Sequence, residues 1–69
     1  MFFGKNIKYL TKNTEINQNQ LAKKLDVSRQ AISSLINVKD PKASTLIKIS
    51  KIYDISIDDL LLKDLSEDN

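Results

Sequence analysis

Residues 18–37 read Gln18-Asn19-Gln20-Leu21-Ala22-Lys23-Lys24-Leu25-Asp26-Val27-Ser28-Arg29-Gln30-Ala31-Ile32-Ser33-Ser34-Leu35-Ile36-Asn37, and this stretch decides the fold. Two short helical patterns meet in it with too little chain between them for a strand or a wide loop. Apolar residues recur at Leu21, Leu25, Val27, Ile32 and Leu35, and the small Ala22 falls where two crossing helices need room. The Ser28 hydroxyl can accept from an otherwise unpartnered amide of a first turn, so a new helix can begin directly after an Asp26–Val27 turn.

Working outward, Asn17 is a second strong N-cap. Gln20 three residues on completes a capping-box pattern, which places a helix over about 18–25. The helix after Ser28 runs from Arg29 to about Asn37. Before this pair, Phe3, Ile7 and Leu10 recur at helical spacing, with Lys5, Lys8 and Lys12 between them, and predict a first helix over about 2–13. Ile16 anchors the connection that follows, and Phe3 reads as core. Val38-Lys39-Asp40-Pro41-Lys42 is the evident loop. A fourth helix is expected over about 43–53, burying Leu46, Ile49 and Ile52 or Tyr53. Ser56, with Asp59 as its box partner, starts a short fifth helix over about 57–62, and residues 66–69 read as a frayed tail. Asp26-Val27-Ser28 and Asp54-Ile55-Ser56 are one device used twice: a helix stop, a buried aliphatic, a new cap. No alternating pattern long enough for a sheet competes, so the expected fold is all-α, a single domain of five helices.

Composition excludes several chemistries. The 69 residues contain neither cysteine nor histidine, so disulfides, Cys/His metal sites and nucleophile–imidazole pairs are ruled out. A chain this short buries only about 60% of the surface its unfolded form exposes, so its core must pack well or gain support from a partner. Met1-Phe2-Phe3 is interrupted by Gly4, Lys5 and Asn6 well short of a secretory apolar region, and Leu60-Leu61-Leu62 is far below the roughly 20 residues of a membrane span. A soluble cytoplasmic protein with no membrane contact is the expectation. Its Lys, Asn and Ile content suits an AT-rich bacterial or phage genome.

The net charge of +2 hides a division. Residues 1–51 carry ten of the eleven basic groups against Glu15, Asp26 and Asp40, a net +7. Residues 52–69 carry Lys63 against Asp54, Asp58, Asp59, Asp64, Glu67 and Asp68, a net −5. A basic body with an acidic end suits a polyanion contact on one side. Chance clustering on a solvated surface accounts for the charge pattern equally well when it is taken alone.

At 100° per residue the helix after Ser28 divides into two faces. Ser28, Ala31, Ile32, Leu35 and Ile36 fall on one side as core, and Arg29, Gln30, Ser33, Ser34 and Asn37 on the other. A polar strip of this kind is ordinarily just a solvated face. Its place in the second helix of a helix-turn-helix, the element that enters the DNA major groove, changes that reading. Arginine can read guanine O6 and N7, and glutamine can read adenine N6 and N7. Arg29, Gln30, Ser33 and Ser34 are therefore the candidate base readers. Phosphates are held by lysines, small polar side chains and amides at helix starts, which nominates Asn17, Gln18, Ser28, Asn37, Lys39 and Lys42.

With those residues in view, the chain resembles the phage repressor and Cro-like helix-turn-helix family, also called XRE-type regulators. The resemblance covers about Ile7 to Leu61 and rests on four segments: residues 16–25, residues 27–35, Thr45-Leu46-Ile47-Lys48-Ile49-Ser50, and Ile55-Ser56-Ile57-Asp58-Asp59-Leu60-Leu61. It implies a compact five-helix, lambda-repressor-like domain that binds a palindromic operator as a dimer, without a cofactor or small-molecule ligand. It also implies that Gln18 touches a phosphate and supports Gln30, and that Asn37 and Lys39 take backbone-contact positions. Three positions depart from the family. Asp26 and Val38 replace common glycines, and Asp26 tolerates a left-handed conformation far better than Val38 does. Thr11 and Ile36 replace a paired arginine and glutamate, so both charges are absent together.

The function that follows is a sequence-specific DNA-binding transcriptional regulator, expected to act as a dimeric repressor. The competing reading is a protein-interaction module on the same scaffold, an antitoxin or antirepressor subunit working through its acidic, leucine-rich end. Nothing in the sequence pairs a nucleophile with a base, so an enzyme is not expected. Ile55 and Leu60 are assigned to the core, which leaves Ile57, Leu61, Leu62 and Leu65 as the expected dimer interface, a contact weak in the absence of DNA.

Overall fold

The turn at Asp26 is the pivot of the molecule, and two aspartates end two of its helices in the same way. In the computed structural model, which describes residues 1–67, the order is α1 (Phe3–Asn13), α2 (Gln18–Leu25), α3 (Arg29–Ile36), α4 (Ala43–Tyr53) and α5 (Ile57–Leu62). A single 3₁₀ turn, Leu65–Glu67, follows, and there is no strand among the described residues. Asp26 (φ 57°, ψ 48°) and Asp54 (φ 55°, ψ 48°) both adopt the left-handed conformation. Their backbone N–H groups close the preceding helices, Asp26 onto the Ala22 and Lys23 carbonyls and Asp54 onto that of Ser50. A non-glycine residue in this region carries a penalty of about 1–2 kcal/mol, and a short polar side chain bears it best. Val38, at the other glycine-replacing position, does not take positive φ, so the loop from α3 to α4 follows a path without a left-handed residue.

Three helices start on side-chain caps. Asn17 Oδ1 accepts from Gln20 N at 2.9 Å, Ser28 Oγ from Ala31 N at 3.1 Å and Ser56 Oγ from Asp59 N at 3.1 Å. Each such cap contributes about 1 kcal/mol. Helix α3 ends at Ile36, one residue before the expected end, because Asn37 (φ −99°, ψ 2°) has left helical geometry and serves as its C-cap.

The core is built around α1. Phe3, Ile7 and Leu10 from α1 meet Leu21 and Ala22 of α2, Ile32 of α3, Leu46 and Ile49 of α4 and Leu60 of α5. Helix α1 touches α2, α3, α5 and the 3₁₀ turn, while α4 packs on α2 and α5. Val27 departs from expectation: it is 44% exposed, because the turn that frees Ser28 to cap α3 carries its side chain to the surface. Ala31 and Ser28, assigned to the buried side of α3, are exposed as well, so that side is narrower than the helical wheel implies.

Two polar residues lie inside. Thr11 donates its hydroxyl to the Ile7 carbonyl at 2.8 Å, satisfying itself within α1. Asn6 is fully buried and ties the chain end down: its Nδ2 donates to the carbonyls of Leu60 (2.8 Å) and Lys63 (2.7 Å), and its Oδ1 accepts from Leu65 N (3.0 Å). No buried side-chain nitrogen or oxygen among the described residues lacks a partner. This clamp corrects the expectation of a frayed tail. Ser66 and Glu67 belong to an ordered turn in which Asp64 Oδ1 accepts from Ser66 N and Ser66 Oγ, and Lys5 pairs with Asp64. Asp68 and Asn69 lie outside the described residues.

The same clamp corrects the expected exposure of the chain end. Ile57, Leu61 and Leu65 are half-buried against the core, because the 3₁₀ turn folds back onto α1; Leu62 alone of the four stands out, at 70% exposure.

Candidate nucleic-acid interface

Helix α3 packs on α2 and α1 along one side only. Ile32 is its one fully buried residue, with Leu35 and Ile36 packed at the margin of the core. The remaining side chains follow from that anchoring: Arg29, Gln30, Ser33, Ser34 and Asn37 are all exposed. The long members, Arg29 and Gln30, occupy the first turn, directly after the Ser28 cap. Among the described residues, none of the four candidate base readers makes a hydrogen bond through its own side chain, and the Ser33 carbonyl accepts a long bond from Asn37 Nδ2 at 3.4 Å.

The candidate phosphate residues fall on both sides of this strip. Asn17 and Ser28 are exposed but already engaged as caps, so Asn17 retains its Nδ2 donors and Ser28 its hydroxyl proton. Asn37 and Lys39 lie beside the end of α3 and line one surface depression with Met1, Phe3, Gly4, Lys5, Ile36 and Val38. Lys42 precedes α4 as its N-cap residue, with no side-chain cap bond. Among the described residues, Lys12, Arg29, Lys39 and Lys42 have no carboxylate partner.

At the other end of α3, Thr11, Lys12, Asn17, Gln18, Asn19 and Arg29 line a cleft of about 250 Å³. This brings Gln18 together with Arg29, whereas Gln30 does not line the cleft. Among the described residues, Gln18 makes no hydrogen bond to Gln30, and the α3 residue that shares the cleft with it is Arg29. Lys12 and Asn19 were not singled out from sequence. Only the return of α1 alongside the start of α2 brings Lys12 to this place, and no local pattern marks it.

Charge sorts by region as well. Lys5 and Asp64 hold each other in their charged forms: hydrogen bonding to Lys5, then to Ser66, keeps the Asp64 carboxyl below its usual range, and Asp64 raises Lys5. Burial pushes the Tyr53 hydroxyl up to about 12, and the same hydroxyl donates to the Ile16 carbonyl at 2.8 Å, fixing the connection that leads into α2. No helix among the described residues is long and apolar enough to cross a membrane.

The arrangement is a capped, two-helix corner on an all-α body, with one side of the second helix on the core and the other polar and outward. Residues 7–60 match the model of the helix-turn-helix family, and the chain belongs to that family. It is 35% identical over 66 residues to the uncharacterized HTH-type transcriptional regulator YqaE of Bacillus subtilis (strain 168), an alignment covering 94% of this chain and 57% of that protein. It is 34% identical over 65 residues to the HTH-type transcriptional regulator ImmR of the same organism, covering 93% of this chain and 51% of that protein. The chain thus spans about half the length of these curated relatives. Both bear the names of transcriptional regulators and not of enzymes. No solved structure matches the chain at a significant level.

Proposed function

We propose that this chain is a sequence-specific DNA-binding transcriptional regulator, acting in the cytoplasm of a bacterium or on a phage genome as a repressor. The observation that carries the reading is the exposed strip Arg29, Gln30, Ser33 and Ser34 on the second helix of the corner, flanked at both ends by cations that have no carboxylate partner among the described residues. Helix α3 lies in the major groove with Arg29 and Gln30 at base edges, while Asn17, Gln18, Ser28, Asn37, Lys39 and Lys42 meet the phosphates on either side. Two copies bind a palindromic operator, meeting through α5 with Leu62 at the centre of the contact and the exposed edges of Ile57, Leu61 and Leu65 around it. The contact is small, so the dimer forms mainly on DNA.

Selection of bound sequences from random duplexes tests this. The expected result is an inverted repeat with half-site centres about one helical turn apart, roughly 34–36 Å. Affinity for the selected duplex should fall steeply with salt, at about 0.9 in log–log slope for each phosphate neutralised. A flat salt response would sink the DNA reading and favour the interaction-module alternative.

A further inference from the structure

Two cations share the cleft between the end of α1 and the starts of α2 and α3, and no carboxylate among the described residues lines it. Lys12 and Arg29 both border it, together with Thr11, Asn17, Gln18 and Asn19. Neither cation has an ion-pair partner among the described residues. The Thr11 hydroxyl donates back into its own helix and Asn17 Oδ1 accepts from Gln20 N, which leaves Asn17 Nδ2 as a donor for the cleft. Like charges converging on one cavity repel unless an anion lies between them. The cleft, at about 250 Å³, has room for a phosphate group, and it opens beside the first turn of α3.

We propose that Lys12 and Arg29 hold one phosphate of the bound DNA between them in this cleft, with Gln18 and Asn19 completing the donor set. The inference rests on the DNA-binding reading above and gives a role to Lys12 and Asn19, which that reading leaves unassigned. It also changes how Arg29 works. A guanidinium has five N–H donors in a planar fork, so one edge can hold the phosphate while another reaches a base. Arg29 then reads its base from an anchored position, with less side-chain freedom to lose on binding. Lys12 is a positioning residue: it touches the backbone and acts on base preference through Arg29.

The experiment uses the selected duplex and a random duplex, titrated at several salt concentrations with the unaltered chain, Lys12→Ala, Lys12→Arg, Arg29→Ala and the Lys12→Ala/Arg29→Ala pair. Lys12 and Arg29 are exposed, so each variant should keep its helices, which circular dichroism checks. Lys12→Ala should weaken both duplexes and lower the salt slope by about 0.9 per subunit, the share of one phosphate. It should also narrow the ratio of specific to random affinity, which loss of an independent phosphate contact would not do. The loss from Arg29→Ala should be smaller, in fold terms, when Lys12 is already alanine, and Lys12→Arg should restore slope and ratio. A duplex with one neutral methylphosphonate per half-site, scanned along the strand, should include a position at which Lys12→Ala no longer matters. An unchanged slope in Lys12→Ala, or losses that multiply independently, would overturn the shared phosphate while leaving the DNA reading standing. Absence of salt-dependent binding by the unaltered chain would overturn both.

Discussion

Gly4 packs directly onto the end of α3: a β-carbon at Gly4 would sit 2.0 Å from the carbonyl oxygen of Ile36. The obstacle is backbone and not the tip of a side chain, so it cannot swing aside. Alanine favours a helix over glycine by roughly 1 kcal/mol, whereas overpacking of this kind costs about 1–3 kcal/mol. The second effect should win. Gly4→Ala is expected to lower the urea midpoint and to separate α1 from α3. A raised midpoint would mean that the two helices slide apart freely.

Asn6 should be the most sensitive polar position. Replacing it with alanine removes the partners of Leu60 O, Lys63 O and Leu65 N together. Each buried group left unpaired costs about 1–3 kcal/mol, and entering water can relieve part of the total. Asn6→Ala is expected to destabilise by on the order of 3 kcal/mol, a large share of what so small a domain possesses. Hydrogen exchange at the Leu65 amide should accelerate well beyond that of α2. Uniform acceleration would show that the clamp is not local.

Acidification should loosen the chain end first. The Asp64 pKa is held below its ordinary value, chiefly by the hydrogen bond from Lys5, so its contribution is fully present above the unfolded value of about 3.9 and is lost as pH falls through the lower folded value. Lys5 is raised, so its share persists up to its ordinary range and is lost only as pH climbs past its folded value. Stability from this pair is therefore flat near neutrality and declines in acid below about pH 4. Lys5 is 56% exposed, so the effect is small and screened by salt. Comparing acid titrations of the unaltered chain and Asp64→Asn should show a shallower decline in the variant.

Gln30 and Lys39 should separate readout from general affinity. Gln30→Ala is expected to cost on the order of 1–3 kcal/mol on the selected operator and much less on random duplex. Lys39→Ala should weaken both about equally and flatten the salt slope. Competition titrations against both duplexes measure this, and equal losses for Gln30→Ala would mean that α3 sits in the groove in another orientation.

The proposed self-association through α5 is best probed at Leu62, which is 70% exposed, and not at Leu61, which packs on the core. Leu62→Glu should leave helical circular dichroism intact and abolish cooperative loading of two subunits on an operator. Retained cooperativity would place the interface elsewhere. Leu61→Glu should instead lower stability, because it drives a charge against the apolar body.

What the sequence determined by itself was the local grammar. Asn17, Ser28 and Ser56 mark helix starts because a side-chain oxygen three residues before an unpartnered amide is a local device, readable without any tertiary partner. Asp26 was readable as a helix stop, and its left-handed conformation followed from the family resemblance, since a short polar side chain best bears that conformation where relatives carry glycine. The exposed strip on α3 followed once the apolar spacing identified Ile32 as its anchor. Tertiary structure alone decided what depends on residues far apart in the chain. Asn6 looks like any surface asparagine until the carbonyls of Leu60 and Lys63, 54 and 57 positions away, close on it. Gly4 reads as the end of an apolar run until Ile36 arrives against it, and the apolar residues after Ile57 look exposed until the turn at Leu65 folds them inward. The grouping of Lys12 with Gln18 and Arg29 has the same cause. Periodicity states which face of a helix is apolar, but the neighbours that face or its edges will meet are set by how the helices cross, and that is fixed by packing of the whole core.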